Sequence, residues 1–163
     1  MSVPGHTAAD IRATIITALE NVTLSGMTYN TTLKLTQSCD PLSLTSPSAA
    51  IECVDGGFIV VPGTGRTVAG KTPMTSGGTV QRMWEVPFSI KFSIDTSAYD
   101  GEKLSVDLLK FPAAVRRLVD AALEPQTGAN LNVTAISEAP PVRQAGGPIL
   151  IYEVVYAIKF AFT

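Results

Sequence analysis

One segment of the chain has the residue types and the spacing of a phosphate-binding loop. The eight residues from Gly65 to Thr72 satisfy the pattern G-x-x-x-x-G-K-[ST] in full. In such a loop the backbone N–H groups surround the phosphates, the lysine (here Lys71) reaches the terminal phosphates, and the hydroxyl (here of Thr72) binds magnesium. The pattern taken alone therefore predicts a nucleotide-binding site.

The residues that follow this pattern do not favour a nucleotide site. A phosphate loop opens directly into a helix whose N-terminus stabilises the anion, but Pro73, Gly77 and Gly78 follow here. Chance matches are also easy in a segment so rich in glycine and threonine. A small nucleotide-binding protein that uses Lys71 and Thr72 is therefore the less favoured hypothesis, and we predict that the segment is inert toward nucleotides.

The rest of the chain offers little for catalysis. His6 is the only histidine and lies near the N-terminus, so neither a Ser-His-Asp nor a Cys-His arrangement is expected. Cys39 and Cys53 lack the spacing of metal ligands. The N-terminus has no signal-peptide pattern, and in a reducing cytoplasm both cysteines are expected to be free thiols. We predict a protein that is not an enzyme and has no catalytic residues, cofactor or metal.

The composition indicates an oligomer. The 163 residues fit one domain, and only 16% of them are charged, whereas average domains contain about 25% charged residues. A monomer so poor in charge leaves apolar surface exposed, and large patches of that kind mark interfaces. The net charge of −2 gives no basis for phosphate contacts with nucleic acid. The longest apolar stretch, 149–162, is too short to span a membrane.

Two segments have helical periodicity. Thr7 and Asp10 have the spacing of a capping box, and an apolar stripe follows at helical spacing, formed by Ile11, Ile15 and Leu19. A second helical region covers about 102–123. Pro112 lies inside it and must either kink the helix or begin its second half.

Other segments alternate between apolar and polar residues as half-buried strands do. The clearest are Val86 to Ile94 and Leu150 to Phe162, and shorter ones are Leu33 to Thr36, Ala50 to Val54, Phe58 to Val61 and Leu131 to Ala135. Tyr156 and Ile158 are expected in the core. The order of elements predicts an α+β fold, a mostly antiparallel β-sheet with two main helices packed on one face.

Long loops are predicted within this single domain, at about 38–48 and 62–80, and a shorter one at 140–148. Structureless loops of this length are uncommon in compact domains and tend to be functional. We expect residues 62–80 to be mobile in the free subunit and to become ordered against a neighbour. Arg66 and Lys71 are the candidate contacts to an acidic surface on that partner.

In this order of segments the chain resembles the tail terminator proteins of long-tailed bacteriophages. The amphipathic helix of that family is matched by Asp10 to Glu20, its short apolar strand near a proline by Phe58 to Pro62, and its alternating strand by Trp84 to Asp95. The start of its next helix is matched by Ala98 to Leu104, and its terminal strand by Ile151 to Ile158. The resemblance covers most of the chain and is one of pattern.

The resemblance implies a structural protein of the virion, made in the host cytoplasm. Members of this family form a ring, usually of six subunits, that caps the tail tube, halts its growth and provides a docking surface for the head-side connector. The implied partners are copies of the chain itself, the tail tube protein and a connector or neck protein, with no direct nucleic-acid readout and no membrane. An alternative is another ring-forming virion protein, a tail tube or neck subunit. Tube subunits are usually β-sandwiches with less helix.

Overall fold

The computed structural model describes residues 7–24, 33–37, 56–67, 74–76, 79–98, 110–126, 131–143 and 148–162. Its helices are α1 (Ala8–Leu19) and α2 (Phe111–Leu123), and short 3₁₀ turns cover Thr96–Ala98 and Glu124–Gln126. The strands are β1 (Thr23–Leu24), β2 (Leu33–Lys34), β3 (Thr36–Gln37), β4 (Gly57–Pro62), β5 (Arg66–Thr67), β6 (Met74–Ser76), β7 (Thr79–Asp95), β8 (Leu131–Arg143) and β9 (Ile149–Phe162).

Helix α1 begins at the predicted capping box. The backbone N–H of Asp10 donates to the hydroxyl oxygen of Thr7 at 3.1 Å, and the backbone N–H of Thr7 donates to the carboxylate of Asp10 at 3.1 Å. These two bonds satisfy donors that no helical carbonyl can reach. The helix ends before Asn21, whose φ of 61° is a conformation that asparagine tolerates. The predicted apolar stripe is buried.

Helix α2 begins close to Pro112. Pro112 occupies one of the first helical positions, where its missing N–H would have no partner in any case. Of the two outcomes predicted for Pro112, the structure therefore shows a helix start, while residues 101–109 lie outside the described part. Neither of the two described helices is long and apolar enough to cross a membrane.

Five strands form the main sheet in the order β3-β4-β7-β9-β8, and β5 and β6 pair with β7 in addition. Every pairing of this sheet is antiparallel except that of β3 with β4. Strands β1 and β2 form a small antiparallel sheet of their own. The predicted α+β class with a mostly antiparallel sheet and two helices is confirmed.

The core lies between the helices and one face of the sheet. Alternate residues of β7 and β9 are buried there, namely Val86, Phe88, Ile90, Phe92, Ile94, Tyr152, Val154, Tyr156, Ile158 and Phe160. Helix α1 contacts β4, and α2 contacts both α1 and β9. The hydroxyl of Tyr156 donates to the carbonyl of Arg116 on α2 at 3.2 Å. The predicted burial of Tyr156 and Ile158 beneath the helices is confirmed.

Near the short strands β2 and β3, the backbone of Lys34 lies very close to Gly56. Leu33 and Leu35 are buried while Lys34 and Thr36 are exposed, as their alternation predicts. Gly56 has a φ of 78°, and a Cβ atom at this position would lie 1.9 Å from the carbonyl oxygen of Lys34. Only glycine fits this position without displacing the backbone.

The predicted loop at 62–80 is corrected by the structure. Pro62 ends β4, strands β5 and β6 both pair with β7, and β7 itself begins at Thr79. Pairing with a long neighbouring strand outweighs the low strand propensity of the glycines in this segment. Residues 68–73 and 77–78 lie outside the described part of the chain.

The predicted loop at 140–148 is also wrong in its first part. Residues 140–143, including Pro140 and Pro141, belong to strand β8. Prolines are tolerated there because β8 is the last of the described strands in this sheet and because its register with β9 shifts between Ala139 and Val142, so neither proline has to donate to the ladder. The predicted loop at 38–48 and the predicted strand from Ala50 to Val54 lie outside the described residues.

Candidate interaction surface

Charged side chains of β7 and β9 lie on the sheet face opposite the helices. Side chains alternate across a strand, so Glu85 and Lys91 point away from the core that Val86, Phe88 and Ile90 enter. The register places Lys159 directly opposite Glu85, and Glu153 directly opposite Lys91. We call this the polar face of the sheet. Glu85 and Glu153 thus each face a lysine of the neighbouring strand.

Glu85 is the most strongly held of these groups. Arg66 of β5 donates to one of its carboxylate oxygens through Nε at 3.0 Å and through Nη2 at 2.5 Å, and Thr134 donates to the other at 3.3 Å. The hydrogen bond from Arg66 is the main reason that the pKa of Glu85 lies below its ordinary value. The charge of Lys159 acts in the same direction, whereas burial opposes it. Glu85 is therefore an ionised acceptor of hydrogen bonds and not a proton donor.

The second pair, Lys91 and Glu153, lies toward the other end of the β7–β9 pairing. Ser89 donates to a carboxylate oxygen of Glu153 at 2.7 Å, and the ammonium of Lys91 lies 3.6 Å from the same oxygen. The Lys91 and Glu153 side chains are 29% and 32% exposed, so the pair is accessible to solvent. The polar face is thus charged but locally neutralised.

The structure gives separate outcomes for the two candidate contacts, Arg66 and Lys71. Arg66 is 78% exposed along its side chain while its guanidinium is bound to Glu85, so it can meet a partner only with the donors that Glu85 leaves. Lys71 lies outside the described residues. Glu85 and Glu153 were not among the candidates from the sequence, although both occupy polar positions of alternating strands. Their pairing depends on the register of β7 with β5 and β9, which alternation alone does not specify.

The chain around the phosphate-loop pattern does not have the order of elements that such a loop needs. Strand β6 begins at Met74, two residues after Thr72, and it is antiparallel to β7. The helix that should follow the lysine and threonine directly is replaced there by a strand. The anion would therefore lack the helix N-terminus that stabilises it in a phosphate loop.

Two tyrosines of β9, Tyr152 and Tyr156, have raised pKa values. Burial raises the pKa of Tyr152 to about 12, and burial together with the nearby charge of Asp120 raises the pKa of Tyr156 further. Both phenols therefore stay protonated at physiological pH. No cluster of three or more His, Cys, Asp or Glu side chains that could hold a metal occurs among the described residues.

A shallow groove between β1 and α2 has a volume of about 290 Å³. The described residues that line it are mostly apolar, with Thr23 and Arg117 as the polar ones. Small-molecule sites combine an apolar wall with several polar groups that converge on the ligand. This groove does not show that combination within the described part of its wall.

The chain matches no protein-family model, and no curated protein matches it.

Proposed function

We propose that this chain is a tail terminator of a long-tailed bacteriophage, a structural virion protein that forms a ring on the end of the tail tube. The order of its described elements supports this proposal. An amphipathic helix comes first, then a strand that ends at a proline, a long alternating strand, a second helix and a terminal pair of strands. This is the order on which the resemblance rests.

The observation that carries the proposal is the length of β7. It contains 17 residues, which corresponds to roughly 55 Å at about 3.3 Å per residue, whereas a domain of this size has a radius of gyration of about 15 Å. Strands of globular proteins rarely exceed about 10 residues. Residues 82–95 of it pair with β9, and the end before Arg82 continues past that strand, where it is suited to contact a neighbour.

One end of β7 continues past its main partner. Arg82 is the last residue of β7 that pairs with β9, opposite Phe162. Beyond it, residues 79–81 pair only with β6 among the described strands. We call this two-stranded extension, Met74–Ser76 with 79–81, the arm. In a ring, the arm is the element that we expect to reach the adjacent subunit or the tube.

A tail tube or neck subunit is the alternative structural role. A β-sandwich tube subunit would cover the main sheet with a second sheet. Here α1 and α2 cover one face of it instead. This arrangement favours a terminator over a tube subunit.

Imaging and weighing the purified protein test ring formation. Negative-stain images and native mass spectrometry at high micromolar concentration should show a closed ring of several copies. A variant in which two glycines replace residues 74–81 should keep the unfolding midpoint of the wild type but lose the ring. Ala121→Lys, a change on the exposed side of α2, should leave the ring intact. A wild-type particle that never exceeds two copies would refute the proposal.

The nucleotide hypothesis is tested separately. Lys71→Ala should change the free energy of unfolding by no more than about 0.5 kcal/mol and leave the ring unaltered. The wild-type protein should show no ATP binding by calorimetry. ATP hydrolysis that disappears in Lys71→Ala would favour an enzyme over a structural protein.

A further inference from the structure

The groove between β1 and α2 runs along the free edge of β1. Val22 and the two residues of β1, Thr23 and Leu24, all line it. Consecutive side chains of a strand point to opposite faces, so a groove that touches three consecutive residues follows the edge of the strand and not one of its faces. Strand β2 pairs with the other edge of β1. We call this surface the edge groove.

The main chain of Thr23 offers a donor and an acceptor along this edge. The N–H of Leu35 donates to the carbonyl oxygen of Val22 at 2.8 Å, so these two residues belong to a hydrogen-bonded pair. Such pairs alternate with non-hydrogen-bonded ones in an antiparallel ladder, and the next pair is Thr23 with Lys34. The N–H and C=O of Thr23 therefore point away from β2, and no backbone bond joins them to another described residue.

The walls of the edge groove are apolar and are held in place by the core. Leu24 is 4% exposed, and Val22, Ala114 and Leu118 are partly buried against the same core. Side chains fixed in this way keep their positions whether or not the groove is occupied. The groove is therefore suited to receive one apolar side chain.

Arg117 supplies a positive charge at the rim of the edge groove. It is exposed and lines the groove. Its neighbour Arg116 is bound to Glu138 at 2.6 Å, whereas Arg117 forms no ion pair with any described acid. An arginine in this position can bind a carboxylate of an occupant through two parallel N–H donors.

We propose that the edge groove binds an extended segment of a partner protein that carries an apolar and an acidic side chain. The segment adds to β1 as a strand, a recognition mode in which main-chain bonds give affinity and side-chain pockets give specificity. The N–H and C=O of Thr23 bind one residue of the segment, the apolar side chain enters between Leu24 and Leu118, and the carboxylate binds Arg117.

The geometry of a strand sets the spacing of the two side chains. Residues two apart lie on the same side of an extended segment, roughly 6.6 Å apart, and one turn of α2 rises by about 5.4 Å. Both side chains can therefore face α2 when they are two positions apart. The carboxylate is that of an acidic side chain, because backbone N–H groups in a nest are what capture a chain end, and the described edge offers only that of Thr23.

This contact goes beyond the proposed ring and does not rest on it. The ring is assigned to the arm of β6 and β7, whereas the edge groove involves β1 and α2. A protein that forms no ring can still bind the segment, and a ring can form with the groove empty.

A designed peptide tests the groove by nuclear magnetic resonance titration and calorimetry. The probe is a blocked peptide with a central leucine, a glutamate two positions away on each side, and threonine elsewhere. It should bind, and the same peptide with glutamine in place of both glutamates should bind about twofold to fivefold more weakly, the range of an exposed ion pair. No binding of the glutamate peptide at millimolar concentration would overturn the proposal.

Neighbouring arginines of α2 provide matched variants. Arg117→Gln should weaken the glutamate peptide about twofold to fivefold and leave the glutamine peptide unchanged. Arg116→Gln removes the same charge one residue away and should bind both peptides as wild type does. Equal losses in the two variants would show that the peptide senses net charge alone and would overturn the role of Arg117.

Amide hydrogen exchange tests the strand addition itself. In the free protein the N–H of Thr23 should exchange faster than that of Leu24, which faces β2, and the glutamate peptide should slow Thr23 selectively. Exchange at Thr23 that the bound peptide leaves unchanged would overturn strand addition. Sedimentation of Arg117→Gln without peptide should match wild type, and a shift to a smaller particle would instead assign the groove to a second copy of the chain.

Discussion

Arg12 of helix α1 donates a hydrogen bond from Nε to the main-chain oxygen of Val60 at 2.8 Å, so a helix side chain closes one edge of the sheet. Arg12→Met should keep the aliphatic packing and lose this bond. Hydrogen bonds that involve a charged group contribute about 1.5–3 kcal/mol, so urea unfolding should show a loss in this range. Thr17→Met, on the exposed side of the same helix, is the control and should be close to wild type.

The same variant tests the role of Arg12 as protection against strand addition. With the Val60 carbonyl released, the β4 edge should accept strands from other copies, and Arg12→Met should form larger species in light scattering as concentration rises. An Arg12→Met protein that loses stability but keeps the wild-type size distribution would show that the bond stabilises the fold without guarding the edge.

Ile158 tests the core beneath the helices. It is fully buried on β9, and Ile158→Ala should lower the free energy of unfolding by about 2–5 kcal/mol, the range for large-to-small changes in a core. Val155→Ala, on the polar face of the same strand, should cost clearly less because Val155 is only half-buried. Ile158→Asp should prevent folding, since an unpaired buried charge costs more than a cavity. Similar losses for Ile158→Ala and Val155→Ala would contradict the assignment of the two faces.

The Arg66–Glu85 pair should make stability depend on pH. The pKa of Glu85 is lowered in the folded protein from its ordinary value of 4.5, so its ionised form stabilises the fold above that value. The contribution is lost as pH falls through the folded pKa, because the unfolded chain then binds more protons. Arg66→Gln should raise the pKa of Glu85 and flatten this part of the stability curve.

Two readouts check this pH dependence. Nuclear magnetic resonance should follow the carboxyl of Glu85 through its titration, and urea unfolding at a series of pH values should give the stability curve. Wild type and Arg66→Gln should differ at neutral pH and converge in acid. Curves that stay parallel over the whole range would mean that Arg66 does not hold Glu85.

Local patterns in the sequence were sufficient to predict the helices and strands that bury one face. The capping box at Thr7 and the alternation around Phe88 and Tyr156 each predict their element, because these patterns follow the geometry of a single helix or strand. At Pro112 the sequence left a kink and a helix start both open, and the structure shows the start. The contacts on the polar face of the sheet were harder to predict from the sequence. Glu85 meets Arg66 and Thr134 only once β5, β7 and β8 are aligned, and these contacts span 19 and 49 residues along the chain.

The strands within 62–80 and 140–143 could not be predicted for a related reason. Met74–Ser76 is only three residues long and is followed by two glycines, so it carries no strand pattern of its own, and it pairs because β7 extends far enough to offer a partner. Strand formation of this kind depends on packing and pairing context more than on the residue itself. The prolines of β8 are likewise compatible with a strand because they lie at a register shift on an edge strand.

Polymerisation of the tail tube protein in the presence of this chain tests the central claim most directly. Tubes grown alone should vary widely in length, whereas tubes grown with the wild-type chain should stop growing and show an additional ring of density at one end in negative stain. The variant with two glycines in place of residues 74–81 should fail to cap them, and Ala121→Lys should cap them normally. Tube lengths unchanged by the wild-type chain, with the chain left entirely in the supernatant, would contradict a tail terminator.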